Sequence, residues 1–154
     1  MCIQLFVMQL TKFLRPVEVR HSLPIPVFLT GIRAGFPSPA DDFSEKRLDL
    51  NQLIEHPEAT FYAYAEGDSM QGLGIDDGDL LVVDKALLAD VGDIVVAEIE
   101  GGFTVKRLGR GVLLSANPAF PPIAIDPQQG VQIWGVVRHV IKDVRARRPR
   151  RVKV

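Results

Sequence analysis

The chain has 154 residues, of which 47% are hydrophobic and 24% charged, and its formal net charge is −1. This length and balance describe one globular domain, and the near-neutral charge excludes a whole-molecule attraction to nucleic acid. A single cysteine, Cys2, excludes an internal disulfide framework and a cysteine zinc cluster.

The start, "MCIQLFVMQL" (1–10), is apolar. It has about half the length of a membrane span, and it lacks a basic leader region and a small-x-small cleavage site. The expectation is a loosely packed arm, or an extended gene start with Met8 as the true first residue, in a cytoplasmic protein with no membrane anchor. Over residues 11–47 five prolines and two glycines break every helical period, so this stretch reads as an extended arm. "LDLNQLIEHPEA" (48–59) reads as a short helix ending before Pro57.

From Thr60 the signals are those of strands. "TFYAYAE" (60–66) is short and aromatic. "DLLVVD" (79–84) is a continuous apolar run, as in a strand buried on both faces. "DIVVAEIE" (93–100) and "FTVKRL" (103–108) flank Gly101-Gly102 and predict a β-hairpin. "VLLSA" (112–116) and "IAI" (123–125) are shorter. "VQIWGVVRHVIKDV" (131–144) is long and β-branched, with Gly135 as a bulge position. The predicted class is mainly β, a bent, partly barrel-like antiparallel sheet with an extended N-terminal arm. The last ten residues, 145–154, hold six basic side chains. They read as a solvated tail or as a weak contact to DNA or an acidic partner.

One serine stands apart from this pattern. Ser69 lies in "AEGDSMQGLGIDDGD" (65–79), between a short strand and a glycine-rich turn, a setting that suits a nucleophile. Its base is open between two kinds of residue. His21, His56 and His139 are present but sit in no motif, and the serine is not in a G-x-S-x-G elbow. Lysine also serves serine as a base. In a strand, Lys106 shares a face with Thr104 and Leu108, and poor solvation there lowers its pKa. A free lysine near 10.4 must fall by roughly three pKa units, about 4 kcal/mol, to be largely neutral at pH 7. The ordinary alternative is a strand lysine with its ammonium in water. Asp68, Asp76, Asp77 and Asp79 read as turn formers rather than a metal site, and no cofactor is expected.

The motifs "GDSM" (67–70), "GIDDGDLLVVD" (74–84) and "GDIVVAEIEGGFTVKRL" (92–108) together resemble the LexA/UmuD family of self-cleaving serine–lysine peptidases. "AGFPSPADDFSEKRLDLNQL" (34–53) resembles the cleavage-site region of its UmuD branch, which contains the accessory subunit of the error-prone DNA polymerase V. The resemblance runs from about Gly31 to Val144. It implies a LexA-type peptidase fold, Ser69 as nucleophile, Lys106 as general base and Ala34–Gly35 as the scissile bond. It therefore divides the chain into a removable arm (1–34), a peptidase domain (35–144) and a basic tail (145–154). Small residues on both sides of the bond suit a narrow cleft. Backbone N–H groups of Ser69 and its neighbours suit the developing oxyanion.

Only 34 residues precede the expected bond, and prolines break them, which fits the polymerase-accessory branch rather than a repressor with a DNA-binding domain. The family likeness further implies a homodimer, a Y-family polymerase catalytic subunit as partner, and slow self-cleavage stimulated by a RecA–single-stranded DNA filament in the SOS response. Two other classes are a signal-peptidase-like serine–lysine protease, which needs a membrane anchor, and a non-catalytic β-domain that binds a partner.

Overall fold

The computed structural model describes residues 21–28, 34–35, 45–126, 128 and 130–145. The apolar start and the basic tail beyond Arg145 lie outside the described residues. Among the described residues there are nine strands: β1 (Ile25–Phe28), β2 (Glu45–Leu48), β3 (Thr60–Tyr64), β4 (Leu80–Asp84), β5 (Ile94–Ile99), β6 (Gly102–Leu108), β7 (Val112–Leu114), β8 (Ile123–Ala124) and β9 (Gln132–Ile141). β1 and β2 form a sheet of their own, and the other seven follow the order β3-β4-β9-β5-β6-β7-β8. Every pairing is antiparallel. The molecule is mainly β, as expected.

Alternation along the strands builds two core clusters. On β5, Val96 joins Leu81, Val83, Ala65, Met70 and Ile75, while its neighbours Val95 and Ala97 join Leu113 and Val136. The apolar run of β4 needs both faces, since Leu81, Val82, Val83 and Asp84 are all buried. The β5–β6 hairpin turns on Glu100 (φ 50°) and Gly101 (φ 80°), closed by the Ile99–Gly102 pair. Two positive φ values suit the right-handed twist of the flanking strands.

β9 is irregular at two places. One extra residue, Trp134, falls between the partners of Val96 and Ala97, so the expected bulge lies beside Gly135 rather than at it. A second shift sets Arg138 between the partners of Val82 and Val83. Gly135 answers a different need: a Cβ there would stand 2.8 Å from Val83 Cγ1 and 3.2 Å from the Asp84 carbonyl oxygen. β4 and β9 therefore approach too closely for any side chain.

The helix expected over 48–59 does not form. Leu48 ends β2, and two 3-10 turns follow, Leu50–Leu53 and Pro57–Ala59. Asp49 caps the first, accepting the N–H of Asn51, and the backbone is extended again at Ile54. Leu50 and Leu53 remain exposed, so no packing rewards a longer helix. The stretch expected to be an extended arm contributes β1 and most of β2. Among the described residues no helix is long and apolar enough to cross a membrane, which leaves β-barrels aside.

Candidate active site

Ser69 sits in the turn that links β3 to β4. The two strands continue to pair beyond their ends: Ala65 N–H donates to the Asp79 carbonyl at 2.9 Å, and Gly78 N–H to the Ala65 carbonyl at 2.8 Å. Gly67, at φ 81°, then swings the chain outward, and its N–H donates to Asp77 Oδ1 at 2.8 Å. The next side chain after Ser69, Met70, is buried in the core. With Met70 pinned inward, Ser69 remains at the mouth of the turn.

The far end of the same turn reaches another strand. Ala116 N–H donates to the Ser69 carbonyl at 2.8 Å, and Gly72 N–H donates to the Ala116 carbonyl at 2.8 Å. Ala116 follows β7, near the opposite edge of the sheet from β3. The sheet therefore curls until its two ends share the nucleophile turn, the bent form expected for it. A Cβ on Gly72 would run into the Ala116 carbonyl oxygen, so glycine is required at this contact. Lys142 ties the turn to the end of β9 through Asp76 and Asp79. Asp76, Asp77 and Asp79 thus all hold the turn, the role expected of them.

Lys106 arrives from the middle of β6, opposite Val95. Its Nζ lies 3.0 Å from Ser69 Oγ, 3.0 Å from Thr104 Oγ1 and 3.0 Å from the Val105 carbonyl oxygen. The residue is 6% exposed, and burial pushes its pKa below the ordinary value of 10.5. A neutral amine has two N–H donors and one lone pair. Thr104 Oγ1 and the Val105 carbonyl can take the two donors, which leaves the lone pair for the Ser69 hydroxyl proton. The strand lysine is therefore not a solvated one. Strand alternation puts Thr104 on the face of Lys106 without assigning it a role, and the Val105 carbonyl, a backbone group, leaves no trace in sequence.

Two cavities meet at this pair, and both are lined by Ser69, Gly67, Glu66 and Thr104. One, of about 290 Å³, continues over Tyr64, Met70, Ile75, Val96, Phe103 and Val105. The other, of about 380 Å³, continues over Lys106, Ser115, Phe120, Pro121 and Ile123. An extended peptide laid across them would pass over Ser69 Oγ with apolar surface on either side. None of the three histidines lines either cavity. His56 Nδ1 is instead 2.7 Å from Asp84 Oδ2. His21 offers its carbonyl to Asn51 Nδ2, and His139 borders a separate groove between the Leu50–Leu53 turn and the face of β3, β4 and β9. Ala34 and Gly35 are exposed in a bend, and a Cβ built on Gly35 meets nothing within 4 Å. In this conformation the described part of the arm does not seat that bond against the cleft.

A family model described as Peptidase S24-like matches residues 26–138. The span contains Ala34, Gly35, Ser69 and Lys106. The chain is also similar to three bacterial proteins. It is 48% identical to protein ImpA of Escherichia coli over 127 residues, covering 78% of this chain and 85% of that protein. Protein SamA of Salmonella typhimurium strain LT2 is 50% identical over 125 residues, or 79% and 87% of the two chains. Protein MucA of Escherichia coli is 48% identical over 120 residues, or 75% and 82%.

Proposed function

The chain belongs to the S24-like peptidases, the LexA/UmuD family of self-cleaving enzymes, and from that premise we propose that Ser69 and Lys106 cut the Ala34–Gly35 bond. The protein is a serine autoprotease of the SOS-mutagenesis type. The observation that carries the assignment is the 3.0 Å contact between Ser69 Oγ and a buried Lys106 Nζ whose pKa burial lowers.

In the proposed step, Ser69 Oγ attacks the carbonyl carbon of Ala34 while Lys106 Nζ takes the hydroxyl proton. Collapse of the tetrahedral intermediate breaks the C–N bond, and Lys106 returns the proton to the departing amine of Gly35. Water then attacks the ester carbon while Lys106 Nζ takes its proton; the bond to Ser69 Oγ breaks, Lys106 returns that proton to Ser69 Oγ, and Ala34 leaves as a carboxylic acid that ionises to the carboxylate. Residues 1–34 are the excised arm, 35–144 the peptidase domain and 145–154 a basic tail. The reaction is slow because the arm seldom occupies the cleft. A RecA–single-stranded DNA filament favours the seated state, which is a population shift rather than new chemistry.

The shortened product serves in the cytoplasm as a homodimeric accessory subunit of a Y-family, error-prone polymerase. Exposed Leu50, Leu53, Tyr62, Val140 and Ile141 around the groove between the Leu50–Leu53 turn and the sheet supply apolar surface of the kind a dimer covers. The test is intact-mass measurement with and without an activated filament. Wild-type protein yields a fragment beginning at Gly35, faster with the filament, and Ser69→Ala yields none. A cut elsewhere, or cleavage by Ser69→Ala, removes the assignment.

A further inference from the structure

The bond proposed for cleavage lies in the connection between β1 and β2, which pair with each other and stand apart from the seven-stranded sheet. Among the described residues, β1 is held by the ladder from Ile25–Leu48 to Phe28–Glu45. Just before it, Leu23 N–H donates to Asp49 Oδ2 at 3.1 Å, and Asn51 Nδ2 donates to the His21 carbonyl at 3.5 Å. Side-chain burial adds little, since Leu23 is 67% and Ile25 53% exposed. An isolated pair of strands is marginal in water. Covalent connection is what keeps β1 at a high effective concentration beside β2, and the cut abolishes it.

We infer that self-cleavage converts β2 into a docking strand: β1 departs, and an extended apolar segment of a partner protein replaces it by antiparallel strand addition. This rests on the self-cleavage reading. One support is Asp49, which is buried at the end of β2. Its Oδ1 stays fixed by the Asn51 N–H at 3.0 Å, while its Oδ2 loses the Leu23 N–H when β1 leaves. A carboxylate held in place by Asn51 that loses its Leu23 and Ser22 contacts offers an acceptor to the backbone N–H of an incoming strand.

The second support is the contrast between the two edges. In the uncut chain the free edge of β1 carries Pro26 and follows Pro24. Proline has no N–H, so this edge resists further strand addition. β2, "EKRL", contains no proline, and every residue keeps a donor and an acceptor. The edge of β2 that β1 covers is competent to pair once β1 leaves, whereas the free edge of β1 is interrupted by proline. The partner segment is therefore extended, apolar like the IPVF strand it replaces, and has a non-proline residue at the place Leu23 now occupies.

The test uses wild-type protein self-cleaved to completion and freed of its arm, beside full-length Ser69→Ala. The probe is a fluorescent peptide of residues 21–28, HSLPIPVF, followed by anisotropy. It should bind the cut protein, and Ser69→Ala at least about tenfold more weakly, because the tethered strand competes. A peptide with Leu23→Pro lacks the N–H for Asp49 and should bind the cut protein about tenfold more weakly. No binding to the cut protein, equal binding to both proteins, or indifference to Leu23→Pro overturns the inference. A second preparation carries a site-specific protease sequence in place of residues 36–43 and is cut in trans. It presents the same β2 without self-cleavage, so failure of self-cleavage and failure of strand addition are read separately.

Discussion

Replacing Thr104 with valine removes one hydroxyl and keeps the shape of the side chain. In the structure that hydroxyl accepts from Lys106 Nζ at 3.0 Å, beside the Ser69 and Val105 contacts. The ammonium donates to all three oxygens, whereas the neutral amine donates to two. A bond from a charged donor is worth about 1.5–3 kcal/mol and a neutral one about 0.5–1.5. Loss of Thr104 Oγ1 thus costs the ammonium about 1 kcal/mol more than the amine, which is somewhat under one pKa unit. The pKa of Lys106, already lowered by burial, should fall further. The pH–rate profile of filament-free self-cleavage, followed by intact mass, should move its midpoint to lower pH by about that amount. The plateau should also drop, because one contact that aims the lone pair is gone. Thr104→Ser should restore both midpoint and plateau. A midpoint that stays in place or rises in Thr104→Val refutes the three-acceptor account.

Lys106 also makes stability depend on pH. Its folded pKa lies below the ordinary 10.5, so between the two values the unfolded chain holds more protons than the folded one. Stability relative to Lys106→Met, both in a Ser69→Ala background, should rise with pH through that window, by at most about 1.4 kcal/mol per pH unit. It should be level below the window and level above it. Urea unfolding at a series of pH values checks this, and a constant difference across the window contradicts it. Gly72→Ala drives a methyl into the Ala116 carbonyl and should separate the nucleophile turn from the end of β7. The expected result is a loss of about 1–3 kcal/mol in stability and a larger fall in cleavage than heating or urea midpoints alone account for. Wild-type rate and stability in Gly72→Ala would show that the contact is dispensable.

The strands that cross the core were legible because their burial is written in local pattern. "DLLVVD" is apolar on both faces and is buried on both, and the β5–β6 turn is marked by its glycines. Alternation on β6 correctly grouped Lys106 with Thr104. What pattern does not carry is pairing across distance. Ser69 and Lys106 are 37 positions apart, and their contact depends on the curl of the sheet and the Ala116 bridge, neither of which has a local signal. Family likeness, not periodicity, singled out the pair. β1 was hidden by its prolines, which speak against a central strand but are compatible with an outer edge. The helix expected at 48–59 had a plausible cap and stop but no face to bury, and burial decides short helices.

The central claim is that a neutral Lys106 activates Ser69 to cut Ala34–Gly35. Its most direct test is the rate of appearance of the Gly35-initiated fragment between pH 6 and pH 11, without filament, in wild type, Lys106→Ala and Lys106→Arg. The account predicts that the wild-type rate climbs with the neutral fraction of Lys106 and then levels off. It predicts no fragment from either variant at any pH, since alanine has no base and a guanidinium stays protonated. A rate flat across that range in wild type, or a Lys106→Ala chain that still yields the same fragment, would contradict it.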